Sequence, residues 1–270
     1  MRGSSQLARD EVLRAFDPVA SAAGKEGVRL ADELFAAVDA LDRSGSLRRA
    51  LTDPARDADD KADLAASLFA KYDPRVVSVI SALAKARWAI GSDLSTSLED
   101  AGVLALLASA QTMGVLATVE EELFLVEREL VASRSLLSAL GDRAALAEGR
   151  VGVLHDVLEG KVNAVTYALV ARKVGAPRGA RLLGAVKSLV KAAANRRELM
   201  VASVTAAVDL SEAQRTRLAS ILKDAYGRDM QVNVAVDPEV LGGIKIQVGS
   251  EVVDGTVVSR LADARRRLVG

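Results

Sequence analysis

The chain of 270 residues has no cysteine, one histidine and eight aromatic rings, and its 36 basic side chains balance 36 acidic ones. Each shortage excludes something. Without cysteine there is no disulfide framework, no zinc–thiolate site and no thiol nucleophile. A lone His155 cannot build a two-histidine metal cage or a histidine relay. Zero net charge removes the electrostatic attraction that dominates nucleic-acid binding, and so few rings leave no stacking platform for single strands. Twenty glycines and five prolines are too few for a chain built of many short strands and turns. The beginning runs from Met1-Arg2-Gly3-Ser4-Ser5 straight into Arg9, Asp10, Glu11 and Arg14 without an apolar h-region, so a cytosolic or cytosol-facing protein without a secretory signal is expected.

What is present is alanine, leucine and valine, with 27% charged residues, a helical composition. One stretch, Ala101 to Val119, is uncharged for 19 residues, near bilayer-spanning length. Ser109, Gln111 and Thr112 lie within it, and Glu99-Asp100 and Glu120-Glu121-Glu122 flank it without basic or aromatic anchors. A buried bundle helix is therefore the expectation.

The most informative pattern is internal. Shifted by 89 residues, Glu33-Leu34-Phe35 falls on Glu122-Leu123-Phe124, Ser44 on Ser133, Ser46-Leu47 on Ser135-Leu136 and Asp53 on Asp142. From Glu33 to Ala58 there are 12 identities in 26 positions. Leu30, Leu34, Ala37 and Leu41 step by helical spacing, as do Val119, Leu123, Val126 and Leu130. Asp53-Pro54 and Asp73-Pro74 suit helix starts, with Asp as cap and Pro in the first turn. The repeat predicts a duplicated helical domain. Past about residue 199 the period changes. Val201–Val208 reads as a strand, and Ser211–Gln214 as a capping box opening a helix. Met230–Val236 and Ile244–Val248 alternate as strands, Glu251–Asp254 is a short third one, and Val257–Leu268 is a terminal helix. The fold class is mainly α: two tandem helical bundles, residues 1–100 and 101–198, followed by a small α+β domain, residues 199–270.

Groups for catalysis are scarce. Gly179–Gly184 has the glycine spacing of a phosphate loop but is followed by Ala185 rather than Lys. His155 reads as a surface or half-buried side chain. Asp57, Asp59, Asp60 and Asp63 suit the first turn of a helix, with an oxygen-ligand cation site as the sharper alternative. Glu120–Glu122 reads as a solvated face. No cofactor or metal is expected. From Lys161 to Arg197 there are nine basic and no acidic residues. Arg172, Lys173, Arg178, Arg181, Lys187 and Lys191 are thus candidates for docking an acidic partner, or else a soluble helix face.

The run Asp237-Pro238-Glu239-Val240-Leu241-Gly242-Gly243-Ile244-Lys245-Ile246-Gln247-Val248-Gly249, then Asp254-Gly255-Thr256 and Arg260-Leu261, closely resembles the C-terminal signature of the delta subunit of F-type ATP synthase, the oligomycin-sensitivity-conferring protein family. The order of strand, helix, two strands and final helix matches too. The motif residues Leu241, Gly242, Gly243, Ile244, Gly249, Asp254, Gly255 and Arg260 read as serving the fold of the small module. Residues 101–198 resemble the family's helical bundle in length and placement. The extra bundle departs from the usual subunit and resembles the enlarged delta region of actinobacterial enzymes. The resemblance implies a stator subunit that is not an enzyme, peripheral to the cell membrane on its cytoplasmic side. Such a subunit links the alpha and beta subunits of the catalytic head to a b-type stalk, so that the head does not turn with the rotor. It touches no nucleic acid and meets the membrane only through the complex. From the residues alone, the alternative is a cytosolic adaptor docking another complex through the basic 161–197 region.

Overall fold

The computed structural model describes residues 3–179, 181–198, 201–226, 230–238, 240, 242–249 and 251–255. The helices are α1 (Gly3–Ala22), α2 (Gly27–Arg43), α3 (Gly45–Thr52), α4 (Ala58–Leu68), α5 (Pro74–Lys85) and α6 (Ser92–Thr112), then α7 (Leu116–Ala132), α8 (Arg134–Gly141), α9 (Ala147–Leu158), α10 (Ala164–Gly175), α11 (Leu182–Glu198) and α12 (Glu212–Tyr226). The strands are β1 (Val201–Ala206), β2 (Gln231–Val236), β3 (Ile244–Val248) and β4 (Glu251–Asp254). The protein is mainly α, with a small α+β part near the C-terminus. Two compact units divide between Val190 and Lys191.

The repeat is visible in the helix ends. Adding 89 to the bounds of α2 and α3 gives the bounds of α7 and α8, and adding it to the start of α1 gives the start of α6. Helices α4 and α9 also start 89 apart, whereas α5 and α10 start 90 apart, so the second copy holds one extra residue ahead of α10. The caps repeat as well. The Ser44 hydroxyl accepts from the Leu47 amide at 3.2 Å, and Ser133 accepts from Leu136 at 3.3 Å. Asp73 and Asn163 cap α5 and α10, each accepting an amide two residues on at 2.9 Å. These bonds satisfy amides that have no partner inside the helix.

Helix α6 does double duty. By position it is the second copy's counterpart of α1, yet it packs against α1, α2 and α5 of the first copy as well as α7 and α10 of its own. A helix enclosed on several sides has no polar face to keep. Nine of the ten residues from Ala101 to Ala110 are buried, all but Leu104. The uncharged run seen in the sequence is this enclosed helix plus the start of α7, broken by Gly114, whose φ of +73° ends α6. No helix among the described residues is long and apolar enough to cross a membrane. The boundary read from the sequence at residues 100 and 101 falls inside α6, which runs through it unbroken.

The smaller unit contains a four-stranded sheet in the order β2-β1-β3-β4. Strands β1 and β2 pair in parallel and are joined through α12, while β3 and β4 add antiparallel. Ala202, Val204, Leu218, Leu222, Met230 and Val248 form its core. The capping box forms in both directions: the Ser211 amide donates to the Gln214 side chain at 2.8 Å, and the Gln214 amide donates to the Ser211 hydroxyl at 3.3 Å. The terminal helix expected over Val257–Leu268 lies outside the described residues.

Candidate functional site

The basic residues of the Lys161–Arg197 run do not share one surface. Arg172 projects from α10 onto α2, with its guanidinium 4.7 Å from the Phe35 ring centre. It bonds Glu99 of α6 at 2.9 Å through Nε and pairs with Asp39 at 2.8 Å. Lys173 reaches the other Glu99 oxygen at 2.7 Å, and Arg178 pairs with Asp42. Only 8% of the Arg172 side chain and 4% of Glu99 are exposed. Burial pushes the Glu99 carboxyl up, but Lys173 and Arg172 outweigh it and hold it below the ordinary glutamate value. Arg172 and Arg178 thus clamp the second copy to α2 of the first through Asp39 and Asp42, and Glu99 of the shared α6 holds Arg172 and Lys173. Arg181, Lys187 and Lys191 stay exposed, Lys187 with Glu127 3.9 Å away.

A groove of about 540 Å³ lies between α7, α8 and α9. Its walls are apolar, with Leu125, Val126, Leu130, Leu136, Leu140, Leu154 and Leu158 among them, and Glu122, Arg128, Glu129 and Lys161 supply its polar lining. In the first copy the positions of Leu125, Val126, Glu129, Leu154 and Leu158 carry Ala36, Ala37, Ala40, Ala65 and Phe69. Phe69 is 5% exposed and its ring lies 5.4 Å from that of Tyr72. Small residues on facing helices allow close approach, and an aromatic ring fills what is left. In the second copy, leucines line an open trough.

Each copy also carries a buried cation, Lys61 in the first and Arg150, 89 residues further on, in the second. Lys61 donates to the Ala86 carbonyl at 3.1 Å. Arg150, at the equivalent position, donates to the carbonyls of Val174, Gly175, Asp142 and Ala145 at 2.8 to 3.2 Å. Both tie the end of one helix to another and satisfy carbonyls that the helix leaves free. Glu122, read as part of a solvated face, instead accepts the Asn163 amide at 2.9 Å and the Thr166 hydroxyl at 2.5 Å, as Glu33 accepts the Asp73 amide at 2.6 Å. The sign of this role was present in the repeat: Glu33 and Glu122 fall on each other in the 89-residue match.

The groups considered for chemistry are placed structurally. Asp57 caps α4 through the Asp59 amide, and Asp59 pairs with Lys85. His155 is half-exposed on α9, edge-on to Tyr167. In the small unit, Gly242 and Gly243 take φ of +67° and +82°, the left-handed region open to glycine, and lead into Ile244, which packs on the core. Gly249 turns β3 into β4, and the Gly255 amide, just after Asp254 ends β4, bonds the Ile244 carbonyl at 3.0 Å. Leu241 and Arg260 lie outside the described residues.

Tandem helical copies with an open apolar groove in the second, followed by a small mixed sheet, define a mainly α protein with a small α+β part. The family model for the ATP synthase delta (OSCP) subunit matches residues 103–268. A protein of Beutenbergia cavernae called ATP synthase subunit delta is 46% identical over the full length of both chains. Ones of the same name from Streptomyces avermitilis and Thermobifida fusca are 42% identical over 98% of both chains and 39% identical over the full length of both. The chain belongs to the ATP synthase delta (OSCP) family, the peripheral-stalk component of that complex. The family match begins inside α6, so the helices before it lie outside the family model, while these full-length relatives span them.

Proposed function

We propose that the chain is a non-catalytic stator link, joining the alpha and beta subunits of the catalytic head to a b-type stalk on the cytoplasmic side of the cell membrane. The observation that carries this reading is the open apolar groove of the second copy. A trough of leucines with charged residues at its lip suits an amphipathic helix laid lengthwise, the mode expected for an N-terminal segment of an alpha subunit. The module over residues 199–270 would hold the stalk, and residues 1–100 and 101–198 would form the two helical domains, sharing α6. A mechanical link needs broad, stiff contacts rather than tuned acid–base groups. The exposed Arg181, Lys187 and Lys191 would steer an acidic partner. The adaptor alternative leans on the same basic run, and internal ion pairs already occupy Arg172, Lys173 and Arg178.

The test is reconstitution. Membranes depleted of this protein are supplied with wild type or with Leu125→Glu, which places a charge on the groove wall. Wild type should restore head binding and proton-coupled ATP synthesis, and the variant should restore much less. Equal restoration by the two, or none by wild type, overturns the reading.

A further inference from the structure

The repeat gives each surface position of one copy a counterpart in the other, and one pair of faces does not match. Phe35, Asp39 and Asp42 lie on one face of α2, at i, i+4 and i+7. That face is engaged: Arg172 covers the Phe35 ring, which is 7% exposed, and pairs with the half-exposed Asp39, and Arg178 pairs with Asp42. The counterparts on α7 are Phe124, Arg128 and Val131. Phe124 is 48% exposed and Val131 59%, and Arg128 is exposed with no hydrogen bond or ion pair among the described residues.

We infer that this outer face of α7, which meets the groove at Arg128 and extends beyond it through Phe124 and Val131, is an interaction surface for a partner helix bringing apolar side chains and a carboxylate. Two observations fix that chemistry. The first copy shows that a helix face with this placement seats a neighbour through an aromatic ring and a charge four residues on. The charge is then reversed: where Asp39 receives a guanidinium, Arg128 calls for a carboxylate, and where Asp42 receives another, Val131 calls for an apolar contact. Isolated exposed apolar residues are ordinary on a protein surface. Here two of them flank an unpaired arginine at positions that form an interface elsewhere in the same chain. The groove adjoins this face: Arg128 lines its edge as well, whereas Phe124 and Val131 lie outside its walls. The inference rests on membership of the assembly and not on what fills the groove.

Because the chain has no cysteine, a single introduced one is a unique handle. Val131→Cys and, at the groove lip, Lys161→Cys are each labelled with a benzophenone maleimide, assembled into the complete complex on membranes, irradiated and mapped by mass spectrometry. The Val131 probe should link to another subunit, at a helical segment containing Asp or Glu. Adding Arg128→Glu should cut that yield about tenfold, and Arg128→Lys should preserve it. Links only to a second copy of this chain or to its own residues 191–255, or a yield unmoved by Arg128→Glu, overturn the inference. If the Lys161 probe links to an alpha subunit and the Val131 probe to nothing, the inference alone fails. If the Val131 probe links as expected while the Lys161 probe is silent, this surface stands and the groove reading fails.

Discussion

Phe35 and Phe124 occupy the same place in two copies of one helical unit, yet one is buried and the other open. Around them the skeletons coincide: α2 and α7 have matching bounds, the same serine starts the next helix, and a glutamate at the same position holds the start of the fifth helix. What differs is the size of the side chains between helices. Gly27 and Gly102 let α2 and α6 close up, since a Cβ on Gly27 would lie 3.0 Å from the Ala105 carbonyl oxygen and one on Gly102 2.3 Å from the Phe35 ring. The second copy has Leu116 where the first has Gly27. Helix ends and caps therefore carry the fold, and the intervening surfaces are free to become either internal packing or external interface. The first copy spends its surface on the second, and the second keeps its own open.

The sharpest way to break this contrast is to truncate both rings. Phe35→Ala removes a buried aromatic and should cost about 3–5 kcal/mol. Phe124→Ala alters a half-exposed position and should stay within about 0.5 kcal/mol. Urea denaturation of the two variants measures both, and similar losses would show that the copies are packed alike. Next in size is Arg172→Ala, which strips Glu99 of one of its two partners inside a covered site. Leaving a buried charge part-paired should cost about 3 kcal/mol. Glu99→Gln on top of it should recover part of the loss, because the uncompensated carboxylate is then gone. A double variant no better than the single would mean that the uncompensated Glu99 carboxylate is not the source of the loss. A smaller effect is expected from Gly102→Ala, about 1–3 kcal/mol, since the Phe35 ring must move to admit the methyl. Combining it with Phe35→Leu should relieve the clash.

These variants also mark where the sequence was readable. Periodicity and the 89-residue match predicted the duplication, the helices and where the strands of the small module fall along the chain, because those depend on local pattern. The groove was not visible, because it arises from which leucines face one another across three helices. The clamp was not visible either: Arg172 and Glu99 are 73 residues apart, and nothing local distinguishes an arginine bound for a buried partner from one on a solvated face. The uncharged run at Ala101–Val119 was legible as a buried helix, but not as one shared by both copies. The glycine pair of the small module, read as serving the fold there, takes positive φ at both positions, which leaves little choice of residue.

The smallest effect separates the copies by titration. The cap of α5 is Asp73 and the cap of α10 is Asn163, so only the first copy has an acid there. Arg75 hydrogen-bonds the Asp73 carboxylate and Arg29 adds to it, holding its pKa well below the ordinary aspartate value of 3.8. A carboxyl depressed in the folded state takes its proton first in the unfolded state. Its contribution is thus complete above the unfolded value, near 3.8, and is lost as pH falls through the lower folded value. Asp73→Asn keeps the cap and loses the charge. It should cost less than about 1 kcal/mol at pH 7, the range of exposed ion pairs. Below pH 4 the variant should show a shallower fall in stability than wild type, because one titrating group has been removed from the transition. The matching exchange in the second copy, Asn163→Asp, should make the acid slope steeper only if a cation stands near it as Arg75 stands near Asp73. Val165 fills the place of Arg75 there, so the slope should change little. Circular dichroism against urea at several pH values between 2 and 7 gives both slopes. Equal slopes for wild type and Asp73→Asn would remove Asp73 from the acid response and leave the copies indistinguishable at this cap.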